Sequence, residues 1–258
     1  MFDQAAMVRE WVKWEYERRR PEEVLEAFDR AMTTAQEEPA GPVYLTLPRE
    51  VLLEPYRGKP SRTSLRQGLP EHPPDEAQVG RAADWIAAAR RPLVLTAAAG
   101  RTEEGSRSLA SLAGTAGAAV VSVMPEFMNL PCSHPCHQGF SVAEALSEAD
   151  LVMVVECPVP WIPGQVCPGE ETKVIHIGMD PLCRRIPIRC FPSDLTLQAD
   201  AVSAMNAIEN ALLQHPERQE DMVARRLETL RRRNRKLRES WIGRARSGAA
   251  RVPLSPHW

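Results

Sequence analysis

Short apolar runs punctuate the middle of the chain: LVLTA at 93–97, AVVSVM at 119–124, LVMVVE at 151–156 and KVIHIG at 173–178. They are nearly continuous rather than alternating, which is how strands covered by helices on both faces read. Between them lie segments with helical spacing, predicting helices over 75–90, 104–116, 141–148 and 200–213, and a further strand at 195–198. Strand and helix alternate regularly, so the pattern predicts an α/β fold with an open, doubly wound, mostly parallel, Rossmann-like sheet of about six strands.

The beginning is less regular. Met7, Trp11 and Trp14 share one face at helical spacing, predicting an amphipathic helix over 4–18. Pro21 opens a second helix, 22–37, and PAGPVYLTLP holds a strand at 43–47. This strand has no predicted neighbour, and a strand without one is not stable. The proline-rich, polar stretch that follows reads as a linker. The organisation expected is an N-terminal helix-strand unit over 1–57, a linker at 58–74, a central α/β domain at 75–215, and a charged helix and loose end over 216–258.

Composition narrows the function classes. With 258 residues, 43% of them hydrophobic, the chain is long enough for one large domain or a medium one with appendages. A net charge of −2 gives no reason to expect nucleic acid or an acidic membrane as partner. In the terminal helix, Glu217, Glu220, Asp221, Glu228 and Glu239 are interleaved with the arginines, a solvated face rather than an RNA-binding one. No apolar run approaches the ~20 residues of a membrane span, and the charged, amphipathic start is not a secretory signal. Six scattered cysteines fit a reducing, cytoplasmic setting.

Few residues offer chemistry. PCSHPCHQG brings Cys132, His134, Cys136 and His137 close together, but the second ligand pair of a structural zinc site is missing, so a proline-rich loop is the expectation and no metal is assigned. No GxSxG elbow is present. Glu126 follows a strand end, where it could orient a ribose, act as a base or simply cap the strand. Asp180, after KVIHIG, could accept hydrogen bonds from a ribose or an adenine amine; Asp200 reads either the same way or as the N-cap of helix 200–213. The turn RPLVLTAAAGRTEEG has the shape of a nucleotide loop, from Thr96 to Gly100. Yet Ala97, Ala98 and Ala99 stand where a dinucleotide fingerprint wants glycine. A tightly held pyrophosphate is not expected there.

FDQAAMVREWVKWEYE, GPVYLTLPREV, RPLVLTAAAGR, NLPCSHPCHQGF, ADLVMVVECPVPWIP and KVIHIGMDPL, taken in order, resemble the thiamine-diphosphate-dependent enzymes of the acetolactate synthase type. The resemblance runs through nearly the whole chain. It implies a subunit of three α/β domains, of which residues 1–57 are the end of the pyrimidine-binding domain and 75–215 the central domain. PLSPHW then resembles the approach to the diphosphate-binding domain, and the resemblance implies that Met1 is an internal methionine or the start of a truncated reading frame. It implies a parent enzyme that cleaves or joins C–C bonds of 2-oxo acids with thiamine diphosphate and Mg2+, as a homodimer or homotetramer. The activating glutamate of the family lies upstream of the matching segment, and no GDG motif occurs here, so no catalytic residue carries over and the chain alone is expected to be inactive. In some relatives the central domain holds FAD at a glycine-rich turn matching Thr96–Gly100, with adenine-end contacts matching Asp180 and Asp200. The alanines depart from that pattern, so no tightly held FAD is expected and the site reads as vestigial. Two other readings remain open: a free-standing nucleotide-binding module, and an assembly protein using the 43–47 strand edge and the arginine-rich helix.

Overall fold

The computed structural model describes residues 3–56, 72–184, 186–189 and 191–248. The linker expected at 58–74 falls mostly outside them, as does PLSPHW. The chain forms two compact units, Met1–Glu71 and His72–Trp258.

In the first unit the expected helix over 4–18 is replaced by a single turn at Ala5–Met7 and a strand, β1, Trp14–Glu17. Helix α1, Val24–Gln36, and strand β2, Val43–Thr46, follow as expected. β1 pairs in parallel with β2, Trp14 opposite Val43 and Glu17 opposite Thr46, so the strand that seemed to lack a neighbour has one. The helical spacing of Met7, Trp11 and Trp14 misled because the same stretch also carries a period of two, Val12, Trp14 and Tyr16. Trp14 and Tyr16 fall on one face, their rings stacked 5.6 Å apart, and Arg18 lies 4.6 Å over Tyr16. Aromatic residues favour the pleated surface, and a partner strand distant in sequence overrides a weak helical pattern. A short helix, α2, Arg49–Leu53, closes the described part of the unit.

The second unit contains a five-stranded sheet rather than about six: β3 Pro92–Thr96, β4 Ala119–Ser122, β5 Leu151–Val155, β6 Lys173–Gly178 and β7 Leu195–Gln198. Their order is β4-β3-β5-β6-β7, with every pairing parallel. Helices α3 (Glu76–Ala88), α4 (Glu103–Ala116) and α6 (Ala201–Leu213) cover one face, where Ile86, Leu109, Leu112 and Ile208 meet Val94, Val120, Met153 and Ile175. The opposite face is thinner. Helix α5 (Ala143–Glu148) supplies Leu146, and the Trp161–Phe191 ring pair helps cover Leu93, Leu95, Val152 and Val154. Asp75, Thr102 and Asp200 cap α3, α4 and α6, each side chain accepting a backbone N–H from the first turn.

The last helix, α7, Glu220–Gly248, is anchored rather than free. Val223, Leu230 and Asn234 are buried. The Asn234 amide donates to the carbonyls of Cys132 and His137, and Trp241 packs against His137 and Phe140. No helix of the described residues is long and apolar enough to cross a membrane.

Candidate functional site

In a parallel sheet with this strand order, connections leave in opposite directions from the first strand, β3, and the third, β5, opening a crevice at their carboxyl ends. The turn after β3 lines that crevice, and its fitness for a phosphate depends on its N–H groups. Ala97 and Ala98 both donate to the Glu156 carbonyl, at 3.3 and 3.1 Å. Ala99 donates to Thr96 Oγ1 at 3.1 Å, Gly100 to Asn129 Oδ1 at 2.8 Å, and Arg101 to the Ala98 carbonyl at 3.0 Å. Every N–H from Ala97 to Arg101 is therefore satisfied by the protein itself, whereas a phosphate-cradling turn presents such donors to its ligand.

The packing points the same way. A Cβ on Gly100 would run into the Met128 carbonyl, and one on Gly105 into the Ala99 carbonyl. Both glycines are required by contact with the protein's own backbone rather than with a ligand. The first turn of α4 carries Glu103 and Glu104, which favour the positive end of the helix and repel an anion approaching it.

Thr96 is fully buried and used as an acceptor within the turn. Asp180 lies after β6, where its carboxylate accepts from both the backbone N–H and Nε of Arg184. Asp200 is the N-cap of α6, accepting from Ser203 N–H at 2.8 Å. Glu126 is exposed and joins the turn only through its N–H, which donates to the Ala97 carbonyl. The structure thus puts Thr96 and Gly100 in one turn and gives Asp180 and Asp200 separate local partners.

Two residues that sequence reasoning missed organise the crevice. Asn129 is buried, and its amide donates to the Ala97 and Phe127 carbonyls while its oxygen holds Gly100. Glu156 directly follows β5 with φ of 45°, a strained turn for a non-glycine residue, and its carboxylate pairs with Arg101 at 3.4 Å. A carboxylate directly after an apolar strand was the available signal for Glu156, the same signal read at Glu126. Asn129 carried none, because its role depends on contact between distant segments.

The Cys-His loop divides in two. Cys136 is buried with its thiol toward the Ala113 carbonyl, and burial pushes it up to about 12, while Cys132 is exposed. Burial lowers the pKa of both His134 and His137. Among the described residues no group of three or more His, Cys, Asp or Glu side chains is arranged to hold a metal ion. On β6, the His176 ring is buried between the Pro192 carbonyl, 3.1 Å from Nε2, and Arg189, 3.4 Å from Nδ1. Burial first, and the neighbouring guanidinium second, lower its pKa to about 4, so it is a neutral structural hydrogen-bonding group.

The sheet has counterparts among known proteins. Residues 79–208 match the family model of the thiamine pyrophosphate enzyme central domain. The chain is 29% identical to the sulfoacetaldehyde acetyltransferase of Rhodobacter capsulatus, over 80% of its own length and 36% of the relative's. It is 25% identical to a probable acetolactate synthase large subunit of Methanocaldococcus jannaschii, over 78% and 36%. The crystal structure of benzoylformate decarboxylase from Polynucleobacter necessarius superposes with a TM-score of 0.62 and 25% identity, covering 80% of this chain and 39% of that one. The chain spans little more than a third of the length of the curated relatives it matches. It belongs to the thiamine pyrophosphate enzyme family, and the part matched is the family's central domain.

Proposed function

We propose that this chain serves as the scaffold domain of an enzyme that cleaves or joins a C–C bond beside the carbonyl of a 2-oxo acid, a lyase or transferase. The observation that carries this reading is the turn after β3, whose N–H groups are all engaged by the protein itself in a domain of this family. A scaffold needs a rigid sheet and a closed turn, and both are present. Thiamine diphosphate would supply the electron sink for such a reaction when bound. The described residues do not fit that cofactor: they offer neither unengaged N–H donors in the turn nor a carboxylate group arranged for Mg2+. In this reading the cofactor, Mg2+ and the substrate are held by parts that the relatives have beyond the matched third.

The same reading makes residues 1–57 the end of a pyrimidine-binding domain, 58–74 a linker, 75–215 the central domain and 216–258 a helix and link onward. The working enzyme would be a cytoplasmic homodimer or homotetramer. Thr96, Gly100, Asp180 and Asp200 mark a vestigial nucleotide crevice, now maintained for structure, that does not hold FAD tightly. Calorimetry of the 258-residue chain with thiamine diphosphate and Mg2+, and with FAD, tests this directly. No Mg2+-dependent tight binding of thiamine diphosphate, no tight binding of FAD, and no turnover of pyruvate or benzoylformate is the expected result. Tight Mg2+-dependent binding of thiamine diphosphate would overturn it.

A further inference from the structure

The opposite end of the same sheet holds a site of different character. A cavity of about 790 Å3 lies at the amino ends of β3 and β4, walled by α7 on one side and α5 on the other. That volume is in the range of small-molecule sites. Six cationic side chains line it, Arg90, Arg91, Arg225, Arg226, Arg233 and Lys236, against two carboxylates, Glu144 and Glu148. Glu148 is already engaged by Arg233 at 3.0 Å and Arg91 at 3.9 Å. Arg226 donates one N–H to the Ala116 carbonyl, and its Nε is buried with no hydrogen-bond partner among the described residues. Arg90, Arg225 and Lys236 have no ion-pair partner there either. A concave surface with such an excess of positive charge focuses its field and concentrates anions.

The floor is apolar, formed by Pro92, Leu93, Ala119 and Ala145, with the hydroxyls of Thr229 and Ser141 beside it. Apolar floor and cationic wall together suit a ligand with a flat organic part and a multiply charged phosphate end, which guanidinium groups bind through paired N–H donors. No aromatic side chain lines the cavity, so the stacking platforms of a single-stranded nucleic-acid site are missing. We propose that this cavity beside α7 binds a small organic phosphate of the nucleoside diphosphate class, at the end of the sheet opposite the vestigial crevice. The site uses none of the residues of that crevice, and its test does not depend on thiamine diphosphate.

Titration calorimetry of the 258-residue chain with ADP, and separately with inorganic pyrophosphate, tests the proposal. ADP is expected to bind at one site, at least tenfold more tightly than pyrophosphate. Arg225→Glu with Lys236→Glu, both lining the cavity, is expected to weaken ADP at least tenfold. Arg232→Glu with Arg235→Glu makes the same charge change at exposed α7 positions outside the lining and is expected to change affinity less than twofold. Matching melting curves for the two double variants confirm that both are folded. Absence of ADP binding to the parent chain at millimolar concentration, equal losses in the two pairs, or pyrophosphate binding as tightly as ADP would each overturn the proposal.

Discussion

Strands β1 and β2 pair in parallel across a helical crossover, as β3 and β4 do, yet no residue of β1 or β2 is buried. β3 and β5, by contrast, are buried from end to end. In the first unit, Trp11, Phe28 and Leu53 stand exposed, and α1 buries only Ala27 and Ala31. In the second, alternate residues of β3 enter different cores: Val94 on the three-helix face, Leu93 and Leu95 on the other. Parallel sheets owe their stability to cover on both faces, because the hydrogen bonding of the ladder adds little net energy once exchange with water is counted. The two units therefore have similar secondary structure and very different means of stabilising it. A unit that leaves large apolar side chains exposed and buries so few has little core of its own. This supports the proposal that the first unit is the closing part of a larger domain.

The largest test of that contrast is a matched truncation. Leu95→Ala removes a fully buried side chain between two strands and is expected to cost about 2–5 kcal/mol, as core leucine truncations do. Leu45→Ala, on half-exposed β2, is expected to cost about 1 kcal/mol or less, because much of the side chain stays in water in the folded state. Urea unfolding followed by circular dichroism compares the two. Equal losses would show that the first unit has a core of its own.

Acid offers a second way to narrow the gap, acting on the second unit through His176. The neutral ring donates from Nε2 to the Pro192 carbonyl and accepts from Arg189 at Nδ1, so a second proton would point at a guanidinium. Its pKa is lowered to about 4 in the folded chain from an ordinary 6.5, so between these values the unfolded chain binds the extra proton. The stabilisation is full above pH 6.5 and lost as pH falls towards 4, a change on the order of 3 kcal/mol. His176→Gln retains a donor and an acceptor but does not titrate. The difference in unfolding free energy between parent and variant should therefore depend on pH across that window. A constant difference from pH 7 to pH 4 would remove His176 as the acid-sensitive group.

The same contrast explains what was legible in the sequence. Continuous apolar runs such as LVLTA and KVIHIG announce strands covered on both faces, so the elements of the second unit could be placed to within a few residues. WVKWEYE is half-exposed and carries both a helical and a period-two pattern, and only its pairing with β2 decides between them. At the crevice, the alanines of the turn could be read from the sequence as a departure from a glycine-rich loop, because a missing glycine is a local fact. Asn129 was invisible because two of its hydrogen bonds, with Gly100 and Ala97, join segments whose proximity the fold alone creates. The cavity beside α7 was hidden for a related reason: its arginines read as a solvated helix face until the amino ends of β3 and β4 are set against them.

The smallest test concerns Asp200, which the sequence left between ligand contact and helix cap. Its carboxylate accepts from Ser203 N–H, while its own N–H donates to the His72 carbonyl. Asp200→Ala removes only the first of these and is expected to cost about 1 kcal/mol of stability without any ligand present. Asp200→Asn keeps an oxygen in the same place and should recover most of the loss, since asparagine caps about as well as aspartate. Asp180→Ala, which breaks a partly exposed pair with Arg184, is expected to cost about half a kcal/mol or less. The order Asp200 above Asp180 follows from a cap satisfying a helix N–H at a part-buried site, whereas the Arg184 backbone N–H and guanidinium that Asp180 engages are exposed and can turn to water instead. Thermal denaturation of the three variants measures it. If Asp200→Ala left stability unchanged, its carboxylate would not be the cap on which α6 relies, and a ligand role at that end of the sheet would have to be reconsidered.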